Sequence, residues 1–83
     1  ETSYDLTIGE YAVPEGSDLV GKTLAGSGFR GRFGVVILAL IREDRSIIHN
    51  PPADAEFRVQ DILVVLGTPA QLKTLTQHMD SPI

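Results

Sequence analysis

Two stretches of this chain, residues 35–41 and 62–66, are apolar without a break. An antiparallel strand with one face in water alternates apolar and polar side chains, whereas a strand written as an unbroken run is covered on both faces. The chain has 83 residues. That is enough for two short helices, which can cover one side of a small sheet but hardly both. The second cover is therefore expected from outside the chain, from a twin subunit or a larger parent protein. The pattern predicts an interaction module before anything else.

Length predicts one domain over 1–83 with its core at about 5–79, and a domain this small buries only about 60–65% of its unfolded surface. There is no cysteine to supply a disulfide or a thiolate metal site. No segment reaches the ~18 apolar residues of a bilayer span, and no basic stretch precedes an apolar one as in a secretory leader. A start at Glu1 rather than Met suggests a piece of something longer. The net charge of −4 is unevenly spread. Residues 1–20 carry Glu1, Asp5, Glu10, Glu15 and Asp18 with no base, whereas residues 21–45 carry Lys22, Arg30, Arg32, Arg42 and Arg45 against Glu43 and Asp44. In the remainder, Asp54, Glu56, Asp61 and Asp80 outnumber Arg58 and Lys73. An acidic chain makes a poor duplex DNA binder, because that affinity comes from neutralised phosphates. No nucleic-acid polymer is expected as a partner; a small anion held by the middle segment is one reading of these charges, and a solvated scatter of charge is the other.

Along the chain, residues 5–13 predict a strand. Leu6 and Ile8 take one parity, Tyr11 and Val13 the other, and a bulge would fit at Gly9. Residues 19–27 are a short helical candidate with Leu24 on its apolar side. Residues 29–34 predict a tight connector anchored by Phe29 and Phe33. Residues 35–42 form the central strand, residues 47–49 its hairpin partner, and Pro51 and Pro52 leave the ladder. Residues 62–67 form the next buried strand. Thr68, Pro69 and Gln71 then form a capping box with proline at the first helical position, and Leu72, Leu75 and Met79 share one face. The fold class is α+β: a small, mostly antiparallel sheet of about four strands, two helices on one face, order β-α-β-β-β-α, dimerising.

Two motifs resemble nucleotide sites. Gly16-Ser17-Asp18-Leu19-Val20-Gly21-Lys22-Thr23 matches the P-loop pattern letter for letter. Against it, the chain is too short for the usual multi-strand parallel sheet, Glu15 and Asp18 bring negative charge, and no strand ends in a magnesium-holding acid. Gly26-Ser27-Gly28-Phe29-Arg30-Gly31 matches the dinucleotide pattern, but that motif needs a strand before and a helix after, and the order here is inverted. The only histidines, His49 and His78, lack partners at metal-ligand spacing, so no metal site is expected. No nucleophile triad is evident, and no enzyme is expected. Arg30 and Arg32 are the more telling bases. At a two-fold interface their guanidinium groups would flank a cleft suited to phosphate or carboxylate; otherwise they bridge acids such as Asp18 or Asp61.

The run Ser17-Asp18-Leu19-Val20-Gly21-Lys22-Thr23-Leu24, then Phe29-Arg30-Gly31-Arg32-Phe33-Gly34-Val35, resembles the C-terminal subdomain of RCK proteins, the TrkA-C domain. Ile37-Leu38-Ala39-Leu40-Ile41-Arg42, Ile48-His49-Asn50-Pro51 and Asp61-Ile62-Leu63-Val64-Val65-Leu66-Gly67 follow in the family's order, with Gln60 where the family usually has glycine. The resemblance covers about residues 6 to 77. It implies a non-catalytic, cytoplasmic regulatory domain that dimerises, binds a small ligand in the dimer cleft, and regulates a parent potassium channel or cation/proton transporter at the membrane. One subset of the family binds cyclic di-AMP. Its arginine corresponds to Arg30, and its asparagine corresponds to Val36 here. By position, Arg32, Ile37 and Pro51 are further candidate lining. The same fold as a purely structural dimerisation unit without ligand, and a small P-loop nucleotide-binding protein, are the alternatives.

Overall fold

The strand β4 (Ile62–Gly67) lies between β1 (Thr7–Ala12) and β2 (Val36–Ile41), and β3 (Ile47–His49) completes an antiparallel sheet in the order β1-β4-β2-β3. Three short helices accompany it: α1 (Leu24–Ser27), α2 (Phe29–Phe33) and α3 (Pro69–Thr76). The computed structural model describes residues 5–79; Glu1 and Asp80, which enter the charge balance, lie outside the described residues.

Residues opposed across antiparallel strands share a face. The register puts Tyr11, Ile37, Leu40, Ile48, Leu63 and Val65 on one face. There they meet Phe29 and Phe33 of α2, Leu72 and Leu75 of α3, and Phe57 in a single core. The same register puts Ile8, Val36, Ile41, Ile47, Ile62, Val64 and Leu66 on the other face. Ile8 is 62% exposed there, Ile47 50% and Val36 44%. The unbroken apolar runs are thus covered on one side by this chain's helices and left uncovered on the other.

α3 forms as its capping signals predict. Thr68 Oγ1 accepts from the Gln71 N–H, Gln71 Oε1 accepts from the Thr68 N–H at 2.8 Å, and Pro69 starts the helix. Leu72, Leu75 and Met79 are buried, Met79 just past the helix end.

The segment 19–34 differs from expectation. Residues 19–21 are a turn, and α1 begins only after Thr23, whose hydroxyl accepts from the Gly26 N–H at 2.9 Å. The expected connector at 29–34 is itself helical, so the element order is β-α-α-β-β-β-α. Gly28 explains the break. Its left-handed backbone (φ 67°) ends α1, and the Ser27 hydroxyl accepts the Phe29 N–H at 3.1 Å to start α2. Gly34 (φ 72°) stops α2 in the same way.

The bulge expected at Gly9 is also absent, since the β1–β4 register runs unbroken from Thr7 to Ala12. Ile8 and Tyr11 differ in parity because both sheet faces are apolar. Gly9 makes room for the Tyr11 ring: a Cβ there would lie 2.7 Å from Tyr11 Cε2. The bulge falls in β2 instead, at Leu38 between Ile37 and Ala39.

Candidate functional site

β3 pairs with β2 only from Ala39 to Ile41. The first half of β2, beside the Leu38 bulge, therefore has no neighbouring strand on that edge. α1, α2 and the turn through Asn50 and Pro51 border it instead, leaving a half-open cavity of about 420 Å³. Bulges commonly stand next to functional sites, where they re-aim side chains. The turn is held by the Asn50 N–H donating to the Leu38 carbonyl at 2.8 Å. Further on, the chain from Ala53 to Phe57 runs antiparallel to α1's approach: the Ala25 N–H donates to Ala53, Leu24 to Ala55, and Phe57 to Lys22.

The structure gathers four of the five residues singled out from sequence, Arg30, Val36, Ile37 and Pro51, on this cavity. The Arg30 guanidinium has no hydrogen-bond or ion-pair partner among the described residues. The fifth, Arg32, lies elsewhere. Residues two apart on a helix do not face each other, so α2 turns Arg32 away from the cavity. Its Nη1 meets Asp18 Oδ2 at 3.2 Å, and its guanidinium lies 5.1 Å over the Phe33 ring. The acid-bridging alternative holds for Arg32, whereas Asp61 is taken by Arg42. Sequence reasoning missed Leu24, Ala25, Phe29, Val35, Asn50 and Ala53 as lining. Only Asn50 had a visible signal, a turn-former directly before two prolines at the end of a strand.

The P-loop pattern does not make a phosphate cradle. Such a cradle needs unpaired backbone amides, and these are engaged internally: Ser17 donates to Pro14, Val20 to Ser17, Gly21 to Phe57 and Lys22 to Leu19. The dinucleotide pattern spans the α1–α2 junction, with no strand entering it. His49 sits on the uncovered sheet face opposite Ala39. The His78 ring stands edge-on to Phe33 at 5.2 Å with Nδ1 3.2 Å from the Thr74 carbonyl oxygen. No group of three His, Cys, Asp or Glu among the described residues could hold a metal ion. No helix among them is long and apolar enough to cross a membrane.

A second cavity, about 480 Å³, is lined by Arg42, Glu43, Asp44, Arg58, Val59 and Asp61. Three of its five charged residues are engaged, and the Glu43 and Arg58 side chains have no hydrogen-bond or ion-pair partner among the described residues. Arg42 pairs with Asp61, and Asp44 accepts from the Ser46 hydroxyl and amide, which hold its carboxyl below the ordinary aspartate value. The second cavity mixes three carboxylates with two arginines, a poor setting for an anion, whereas Arg30 is, among the described residues, the one charged residue on the first.

Residues 8–80 match the model of the TrkA-C domain family. The chain is 33% identical over 79 residues to potassium channel protein 1 of Methanocaldococcus jannaschii, covering 95% of this chain and 23% of that protein. It is 32% identical over 71 residues to the K(+)/H(+) antiporter subunit KhtT of Bacillus subtilis, covering 86% of this chain and 43% of that protein. The chain thus spans less than half the length of either relative. Among solved structures, the GsuK RCK domain superposes with a TM-score of 0.76 at 28% identity, over 88% of this chain and 16% of that one. An RCK_C domain dimer of S. agalactiae BusR, in complex with c-di-AMP, superposes with a TM-score of 0.80 at 20% identity, over 90% and 91%. BusR has also been solved with its busAB-promotor DNA, with a TM-score of 0.79 at 20% identity, over 94% of this chain and 38% of that one.

Proposed function

This chain belongs to the TrkA-C (RCK C-terminal) domain family of potassium channels and transporters. On that premise we propose that it is the ligand-sensing, dimerising part of a regulator at the cytoplasmic face of the membrane. It controls a potassium channel or cation/proton transporter and is not a catalyst. Its ligand is cyclic di-AMP or another small anion, held in a cleft between two copies. The ligand acts by differential affinity for two dimer geometries, which shifts their populations.

The observation that carries this reading is Arg30, an unpartnered guanidinium on a cavity otherwise almost wholly apolar. Such a group favours a phosphate, and an apolar lining favours the faces of purine rings. Val36 belongs both to the cavity and to the uncovered sheet face. A second copy seated on that face would therefore border the ligand. A BusR RCK_C dimer carries c-di-AMP, which makes this dinucleotide the first ligand to test. DNA is not part of the proposal. The chain is acidic, and it covers 38% of the BusR chain solved on its promotor.

One observation favours a second reading, a structural dimerisation unit without ligand. Val36 offers no polar atom where cyclic di-AMP binders are expected to carry asparagine. Thermal unfolding with cyclic di-AMP separates the two. A ligand that binds only the folded state adds about 2.7 kcal/mol at a hundred times its Kd, so the sensing reading predicts a concentration-dependent rise in Tm. A Tm unmoved by cyclic di-AMP, other nucleotides, calcium or magnesium supports the structural unit.

A further inference from the structure

Two polar residues line the cavity, Arg30 and Asn50, among eight apolar ones. Asn50 follows β3 directly and holds a left-handed backbone (φ 46°), fixed by its N–H bond to Leu38 beside the bulge. Asparagine suits left-handed backbone because its short polar side chain can bond locally. Here that local bond is not made: the Asn50 carboxamide has no hydrogen-bond partner among the described residues. Its amino group and its carbonyl oxygen therefore remain free at the cavity wall. Val36 supplies neither, so among the described residues Asn50 holds the only carboxamide on this cavity.

On the footing of the cyclic di-AMP reading, with Arg30 on a phosphate, we propose that Asn50 selects the adenine base. A carboxamide pairs bidentately with the adenine edge that presents the N6 amino donor and the N7 acceptor. The same edge of guanine or hypoxanthine presents two acceptors, O6 and N7. Against those, Asn50 Oδ1 faces an oxygen and loses its partner. Phe29, Ile37 and Pro51 supply apolar surface for the ring faces, leaving the base edge as the feature to be read.

Calorimetric titration with cyclic di-AMP and cyclic di-inosine monophosphate tests this, because the two differ at that edge by the oxygen replacing the amino group. The unmodified chain should prefer cyclic di-AMP by about tenfold or more, the worth of one good bidentate pair. Asn50→Gly keeps a left-handed backbone at no steric cost; it should weaken cyclic di-AMP binding about tenfold while leaving the inosine ligand little changed, so that the preference collapses. Asn50→Asp still accepts from the adenine N6 amino group but sets a carboxylate against O6 and N7 of hypoxanthine, so it should weaken both anionic ligands and keep the preference. Arg30→Ala should instead weaken both ligands alike. A preference that survives in Asn50→Gly overturns the role of Asn50 while the cavity's ligand stands. An unmodified chain that binds neither dinucleotide overturns the ligand reading and the selection with it.

Discussion

Arg42 Nη1 donates to Asp61 Oδ2 one residue beyond the Ile41–Ile62 register pair, closing the end of the β2–β4 ladder with an ion pair. The two side chains are 9% and 1% exposed. The same nitrogen donates to the Glu56 carbonyl at 2.8 Å, and Asp61 Oδ2 also accepts the Arg58 N–H at 2.8 Å. A buried pair is costly to break from one side, because the remaining charge is left without compensation. Asp61→Ala should therefore destabilise the fold by about 3–5 kcal/mol in urea unfolding. The double variant Arg42→Met with Asp61→Leu should regain most of that loss. A loss under 1 kcal/mol in the single variant would contradict the role assigned to the pair.

The two arginines of α2 should separate cleanly. Arg30→Ala should weaken cyclic di-AMP binding in calorimetry and leave the melting curve in place, since the Arg30 guanidinium has no partner to lose among the described residues. Arg32→Ala breaks an exposed bridge to Asp18 and a cation–π contact with Phe33, and should cost about 1–2 kcal/mol with binding unchanged. The reverse pattern would move the anion site off the cavity.

Gln60 holds a left-handed backbone (φ 70°) just before β4, while its N–H donates to the Val13 carbonyl at 3.0 Å. That conformation costs a residue with a Cβ about 1–2 kcal/mol. Glycine loses about 0.4–1 kcal/mol more chain entropy on folding. The first effect is larger, so Gln60→Gly should stabilise the fold by about 0.5–1 kcal/mol. A lower Tm in this variant would place the entropy above the strain.

Asp44 closes the β2–β3 turn by accepting from the Ser46 hydroxyl at 2.6 Å and from the Ser46 N–H at 2.9 Å. These bonds favour its charged form and lower its pKa. A group with a depressed folded-state pKa supports the fold above its unfolded-state value, and that support is lost as pH falls through the folded one. In a carboxyl NMR titration Asp44 should have its midpoint below that of an unstructured aspartate, and Ser46→Ala should raise it. No difference between the two proteins would contradict the turn.

The sheet was legible in the sequence because its strands are written as unbroken apolar runs and its last helix carries a full capping box. α2 was not, because Gly28, Gly31 and Gly34 around two arginines have the composition of a loop; Gly28 and Gly34 are in fact the helix breaks. The Arg42–Asp61 pair joins residues 19 apart, and neither residue's neighbours announce it. Phe57 reads as a lone aromatic in a polar stretch, yet it is fully buried because residues 53–57 lie against the start of α1. Four of the cavity's residues were singled out from family resemblance and position. Asn50 was passed over because a turn accounts for asparagine equally well. Spacing alone could not separate Arg30 from Arg32, since that depends on the helix that turns them apart.

On the uncovered face of the sheet Ile8, Val36 and Ile47 are exposed and Leu66 is half-buried, and the proposed function has a second copy cover them. Sedimentation equilibrium of the chain up to about 1 mM tests this directly, since an association worth about 4 kcal/mol is already populated there. The account predicts a particle of twice the 9.0 kDa chain mass, reverting to a single chain in Leu66→Lys. A single-chain mass at every concentration would contradict it.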